Sequence, residues 1–431
     1  LALLGYFKYT DFLIANVNEL LGTSLPILGI VLPIGISFYT FQQIAFLVDA
    51  YRGQVTDFTF KRYLFFITFF PQLIAGPIVH HAEILPQLAK RWRIDLTSDL
   101  ALGLFIFLIG LTKKALLADS FAGIATPIFD SADGGAVLTA QEAWVGALAY
   151  TFQIYFDFSG YSDMAIGIAR MFGLRLPINF ASPYKSVGII EFWRRWHITL
   201  SRFLRDYLYI PLGGNRSGRV RRYLNLLITM LLGGIWHGAG WGFVIWGFLH
   251  GAFLMIEHGF RALFAKTPVP LPRPLLRGLG WGLTFLAVIL AWVPFRAVTL
   301  DGVTGMWGAM AGLSVGTEIL TLEDEFFAWI AAGLVLVTLL PNSQEIVERL
   351  FGYRIGTSMP ARRPAVAKDS SLEGQDVPAG TIATPGGAAE LAAPGALRLA
   401  LQVGLAACLG FAAIAGIALN NQITEFIYFQ F

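Results

Sequence analysis

The run Leu231-Leu232-Gly233-Gly234-Ile235-Trp236-His237-Gly238-Ala239-Gly240-Trp241 sets a histidine among glycines and large apolar side chains. Apolar sequence continues on both sides, over residues 224–236 and 241–257. Crossing about 30 Å of hydrocarbon takes about 20 helical residues, so stretches of this kind are candidate membrane spans. Others fall at 24–48, 63–80, 99–118, 143–169, 276–296, 326–341 and 397–419. Composition agrees: 56% of the 431 residues are apolar and only 14% are charged, where soluble domains carry about 25% charged residues. Mean hydropathy is +0.63. The fold class is therefore all-α and polytopic. Several of the spans are short or charged, and tilted, broken or re-entrant segments are expected there.

From residue 1 to 354 no soluble linker separates domains, so this part reads as one membrane core. Residues 355–396 are rich in Ala, Pro, Gly and Ser and cannot bury enough surface to order themselves, which makes them a flexible loop without a catalytic role. Residues 397–431 supply a last membrane helix and a tail. The chain starts at Leu1 within the apolar stretch Leu1–Phe7, with no charged leader or cleavage site, and the expectation is that further membrane segments precede it. The absence of a repeat at fixed period weighs against a transporter built of inverted repeats.

The formal charge of +3 does not indicate a nucleic-acid partner. Basic residues instead bracket membrane segments: Lys90, Arg91 and Arg93; Lys113 and Lys114; Arg194 and Arg195; Arg216, Arg219, Arg221 and Arg222. The positive-inside rule turns such clusters toward the cytoplasm, unless they sit inside a re-entrant element. A single cysteine, Cys408, excludes an intramolecular disulfide and reads as a small buried residue. No nucleophile elbow, phosphate loop or dinucleotide fingerprint is present.

Ionisable side chains in membrane segments are costly and by default mark pathways or reaction sites. His237 comes first: glycines strip bulk from around the imidazole, permitting a ligand's approach or a helix break, and a histidine suits general-base work on a hydroxyl. The competing reading is a packing histidine. His250 follows thirteen residues later, about 220° round an unbroken helix, so it reads as a supporting residue facing elsewhere. The stretch from Glu191 to Tyr207 mixes Trp193, Trp196 and His197 with Arg194, Arg195, Arg205 and Asp206. It reads as an amphipathic or re-entrant interfacial helix with Trp193 and His197 on one face. Arg205 and Asp206 would there meet phosphates or each other. Asp157 and Asp163 are six residues apart, about 120° off register, so they need not pair. No third ligand at useful spacing supports a metal site, and pairing with the Arg194–Arg205 region is the simpler reading. Finally, Phe70-Pro71-Gln72-Leu73-Ile74-Ala75-Gly76-Pro77-Ile78 is a broken apolar segment fit to line a cavity, with His80 and His81 beyond it at the interface.

The stretch Glu191-Phe192-Trp193-Arg194-Arg195-Trp196-His197, followed by Leu204-Arg205-Asp206-Tyr207-Leu208-Tyr209-Ile210-Pro211-Leu212-Gly213-Gly214-Asn215-Arg216, resembles the membrane-bound O-acyltransferase (MBOAT) family. Within it the chain looks most similar to the alginate O-acetyltransferase branch. Residues 32–42, 73–77, 155–165 and 233–239 carry the resemblance further, which runs over nearly the whole chain. It implies a ring of tilted and re-entrant helices around a central tunnel, with His237 as the essential histidine and His197 as the second. It also implies acetyl-CoA as cytoplasmic donor, no bound cofactor or metal, a polysaccharide acceptor outside the cytoplasm, and a periplasmic protein that accepts or forwards the acetyl group. The location implied is the bacterial inner membrane, among its lipids. Trp193, Arg194, Trp196, Arg205, Asp206, Trp236, Asp157, Asp163 and His250 are the supporting candidates. The 355–396 insert is longer than the family pattern leads one to expect. The rival readings are D-alanyl or other acyl transfer to teichoic acid, cellulose, lipid or protein, and, in another class, a transporter or flippase.

Overall fold

The computed structural model describes residues 1–55, 59–73, 76–89, 94–95, 98–216, 218–264, 271–314, 316, 322–357 and 396–419. The basic cluster at 90–93, nearly all of the 355–396 loop and the tail beyond 419 lie outside the described residues. Within them every regular element is a helix. Four helices are long and apolar enough to cross a membrane: Ser98–Asp133, Trp241–Leu263, Arg273–Arg296 and the segment Leu401–Ala418. Asp324–Thr338 and Ser343–Phe351, bent by 58° at their junction, form a fifth when taken together.

At the centre lies Ala140–Met171, buried along most of its length. Its start is fixed by a capping box: the Thr139 hydroxyl accepts from the Glu142 amide, while the Glu142 carboxylate accepts from the Thr139 amide at 2.8 Å. Against it runs Ser98–Asp133, and the two meet at paired glycines. A Cβ on Gly103 would stand 2.6 Å from the Gly167 carbonyl oxygen, and one on Gly160 would stand 2.7 Å from that of Gly110. Where lipid removes the hydrophobic incentive to associate, such backbone-to-backbone contact supplies the dispersion energy instead. Between these glycines and the end of the helix, Lys113–Ala118 forms a π-turn.

The expected span at 24–48 is broken. Gly22, Gly29 and Gly35 take left-handed backbone, with φ of 63°, 65° and 74°, and helix resumes only at Ile36–Tyr51. In the non-helical chain between them Asp11 accepts from the amides of Leu28 and Ile30, both at 2.9 Å. The span at 63–80 is likewise interrupted, with helix over Phe60–Thr68 and Phe70–Leu73, and non-helical backbone leading to His80. Cys408, expected to be buried, is exposed on the last helix.

Candidate active site

His237 is the last residue of Arg219–His237. The chain leaves that helix through Gly238 and Gly240, both extended, and turns back as Trp241–Leu263. The glycines serve this hairpin. A Cβ on Gly234 would run into the Phe243 carbonyl oxygen, one on Gly238 into the Phe243 ring, and one on Gly247 would lie 2.5 Å from the Met230 carbonyl oxygen. Of the two roles open to the glycines, a ligand's approach or a helix break, the break is the one seen, and the space beside Gly234 and Gly238 is filled by Phe243.

The break also changes the relation of the two histidines on the hairpin. On one continuous helix they would face apart; folded back, they flank the same indole, with Trp246 at 5.0 Å from His237 and 4.8 Å from His250, ring centre to ring centre. Phe295, from Arg273–Arg296, lies 5.2 Å from His237. His250 accepts at Nδ1 from the Trp193 indole at 3.3 Å, which places its ring proton on Nε2. That Nε2 has no hydrogen-bond partner among the described residues.

His197 is brought to the same place from a different element. The Glu191–Tyr207 stretch is two short helices, Ile189–Arg195 and Ile198–Leu204, separated by Trp196 in extended backbone and His197 in the left-handed region (φ 41°, ψ 54°). Trp193 and His197 therefore do not share a helical face: Trp193 packs on His250, while His197 lies edge-to-face on Phe158 at 4.7 Å. Phe192, Trp193, Trp196 and His197 are all buried, which replaces the interfacial reading with an internal one. The ring centres of His197 and His237 are 6.4 Å apart, and the two residues are 0% and 5% exposed.

Asn179 holds the break. Its carbonyl Oδ1 accepts from the Thr199 amide at 3.2 Å and the Thr199 hydroxyl at 3.0 Å, and lies 3.1 Å from His197 Nδ1. The amide can only donate, so it orients the Asn179 side chain, and Nδ1 of His197 must then be the protonated nitrogen, leaving Nε2 as the basic one. Thr199 in turn accepts from the Ile78 amide at 2.9 Å, which ties the broken Gly76-Pro77-Ile78 segment to the site. Asn179 gave no signal in the sequence beyond being a polar residue between Ile178 and Phe180. Trp246, Trp292 and Phe295 read there as ordinary apolar residues.

Trp236 and Trp196 belong to the same aromatic cluster, Trp236 stacked on Phe41 at 4.6 Å and Trp196 against Trp292 at 4.9 Å. The other candidates lie apart. Arg194 is exposed, and Arg205 and Asp206 pair with each other through two hydrogen bonds of 2.8 and 3.2 Å. Asp157 and Asp163 do not reach the Arg194–Arg205 region. Lys114 lies 2.7 Å from Asp157 and 2.8 Å from Asp119, and Lys113 lies 2.7 Å from Asp163 and 2.6 Å from the Ser343 hydroxyl. The two lysines lie in the π-turn, within a membrane helix rather than at its flank. Their partners were unreadable because helix packing, and not local spacing, selects them.

His80 and His81 are internal rather than interfacial. Together with Asp49 they place ligand-type atoms within 4.8 Å of one another. His80 Nδ1 accepts from the Ala82 amide, so the ring proton of the neutral imidazole sits on Nε2, 2.6 Å from the Asp49 carboxylate. Tyr207 donates to the same oxygen at 2.7 Å. The group is a hydrogen-bonded cluster of one carboxylate, two imidazoles and a phenol.

The sequence profile of the membrane-bound O-acyltransferase family matches residues 31–293, which include His197 and His237. The chain is 46% identical to the peptidoglycan O-acetyltransferase of Helicobacter pylori over 75% of its own length and 65% of that protein's. Against the probable alginate O-acetylase AlgI of Azotobacter vinelandii identity is 40%, covering all of this chain and 83% of the relative. The teichoic acid D-alanyltransferase of Streptococcus thermophilus is 28% identical over 62% of this chain and 69% of its own.

Proposed function

The chain belongs to the membrane-bound O-acyltransferase family, and from that premise we propose that it transfers acetyl from cytoplasmic acetyl-CoA to hydroxyls of an extracytoplasmic polysaccharide, with His237 as general base. The observation carrying this reading is the convergence of two buried imidazoles, His237 at a helix end and His197 at a backbone break, from separate elements. Relatives named for O-acetylation of alginate and peptidoglycan support a sugar-polymer acceptor.

In this mechanism the acceptor oxygen bonds to the thioester carbonyl carbon while His237 takes its proton. Collapse of the adduct breaks the carbon–sulfur bond, and the proton passes to the departing thiolate, giving an ester and free CoA thiol. His197, its tautomer set by Asn179, orients donor or acceptor. Trp193, Trp196, Trp236 and His250 hold the imidazoles and keep water out, while Arg194, Arg205 and Asp206 shape the cytoplasmic mouth. Residues 1–354 form the catalytic core in the bacterial inner membrane, the 355–396 loop joins it to the last helix at 397–431, and a periplasmic protein accepts or forwards the acetyl group.

Labelled acetyl-CoA supplied to membranes carrying this protein or its His237→Ala variant, at matched folded amounts, tests the mechanism. General-base help is worth about 10²–10⁴-fold, and the variant should lose that much transfer. Equal transfer by both would remove His237 from the chemistry and favour a conduit. The likeness to a D-alanyltransferase motivates a parallel assay with a D-alanyl donor, which would displace the acetyl reading if it were the better substrate.

A further inference from the structure

We propose that Lys8, assisted by Tyr9, is a positioning group for His237: the first helix of the chain clamps the end of the helix that carries the histidine. The proposal rests on the reading of His237 as the base.

Lys8 Nζ donates to the Trp236 carbonyl at 2.7 Å and to the His237 carbonyl at 2.8 Å, and the Tyr9 hydroxyl donates to the Ile235 carbonyl at 2.8 Å. Three consecutive terminal carbonyls are thus held by side chains from Ala2–Leu21, more than two hundred residues away in sequence. The same ammonium stands 6.0 Å over the Trp236 ring and 3.5 Å from the Ser37 hydroxyl.

The last four carbonyls of a helix lack partners within it, and they carry the negative end of its dipole. Many helices satisfy them by a left-handed turn that lets a following amide reach back. Here Gly238 is extended (φ −160°, ψ 156°), so the chain departs without that turn. The end would fray in its absence, and the side chain on the final residue is the imidazole itself. A cation answers both the unsatisfied oxygens and the dipole, and a charged donor makes the stronger hydrogen bond where water is scarce. Lys8 precedes residues 31–293, so the family profile assigns it nothing.

The test compares wild type, Lys8→Met, Lys8→Arg, Tyr9→Phe and His237→Ala as full chains in membranes, with acetyl transfer normalised to folded protein. Misplacing a catalytic group by about 1 Å can cost about 10²-fold. Lys8→Met should therefore lower kcat about 10–100-fold while KM for acetyl-CoA changes less than about threefold. Lys8→Arg should recover most of the loss, and Tyr9→Phe should have the smaller effect. Wild-type kcat in Lys8→Met would overturn the proposal, as would a loss confined to the folded fraction, or an Arg variant no better than Met. An active His237→Ala would instead overturn the base assignment, whatever Lys8 does. An inactive His237→Ala beside a fully active Lys8→Met would overturn the clamp alone.

Discussion

Among the regions of the described residues that bury polar groups, the π-turn and the surroundings of His237 do so in opposite ways. At the π-turn, Lys114 faces Asp119 and Asp157, and Lys113 faces Asp163 and the Ser343 hydroxyl, all at 2.6–2.8 Å. Around His237 the polar groups are imidazoles packed among indole and phenyl rings, with contacts of 3.3 Å from Trp193 to His250 and 3.1 Å between His197 and Asn179. The first region saturates its charges and fastens helices to each other. The second packs imidazoles, the proposed proton carriers, against aromatic rings. On the proposed mechanism, Asp157 and Asp163, each ion-paired to a lysine, are read as scaffold and the histidines as the site.

The contrast is open to attack at three points. Lys114→Met leaves two carboxylates without their cation, and breaking a buried pair costs about 3–5 kcal/mol. Thermal unfolding in detergent should show the largest drop of the series, partly returned by adding Asp157→Asn, with transfer per folded molecule near wild type. If activity per folded molecule collapsed instead, the π-turn would belong to the site. Gly234→Ala is the intermediate case. Its Cβ would collide with the Phe243 carbonyl, and overpacking of this kind costs about 1–3 kcal/mol. Because His237 is three residues further along, transfer should fall by more than the unfolded fraction accounts for; a variant with normal turnover would uncouple hairpin packing from chemistry. Arg205→Ala should do least. The arginine is 59% exposed and its pairing with Asp206 is of the surface kind, worth about 0–1 kcal/mol. A melting shift as large as that of Lys114→Met would show that the pair is misjudged as surface.

What the sequence disclosed follows the same division. His237 stood out because a titratable group in an apolar run is conspicuous whatever its surroundings, His197 came from the family resemblance, and the prolines and glycine at 70–78 marked a broken segment, whereas the break ahead of Ile36 was not foreseen within the span expected at 24–48. Nothing local gave the partners. Asp157 is forty-three residues from Lys114, Asn179 is eighteen from His197, and Lys8 is 229 from His237. Each of these pairs is made by tertiary packing and not by local spacing. The 220° separation of His237 and His250 was sound for a continuous helix and failed at Gly238, where the helix ends. The Trp193–His197 face failed for the same reason at Trp196.

His197 itself sets the backbone at odds with the side chain. Its left-handed conformation suits glycine and costs an L-residue about 1–2 kcal/mol. A glycine here would relax the turn, but it would also delete a fully buried imidazole together with its packing on Phe158 and its hydrogen bond to Asn179. Position 197 thus keeps a strained backbone because the buried contacts of its side chain outweigh the strain.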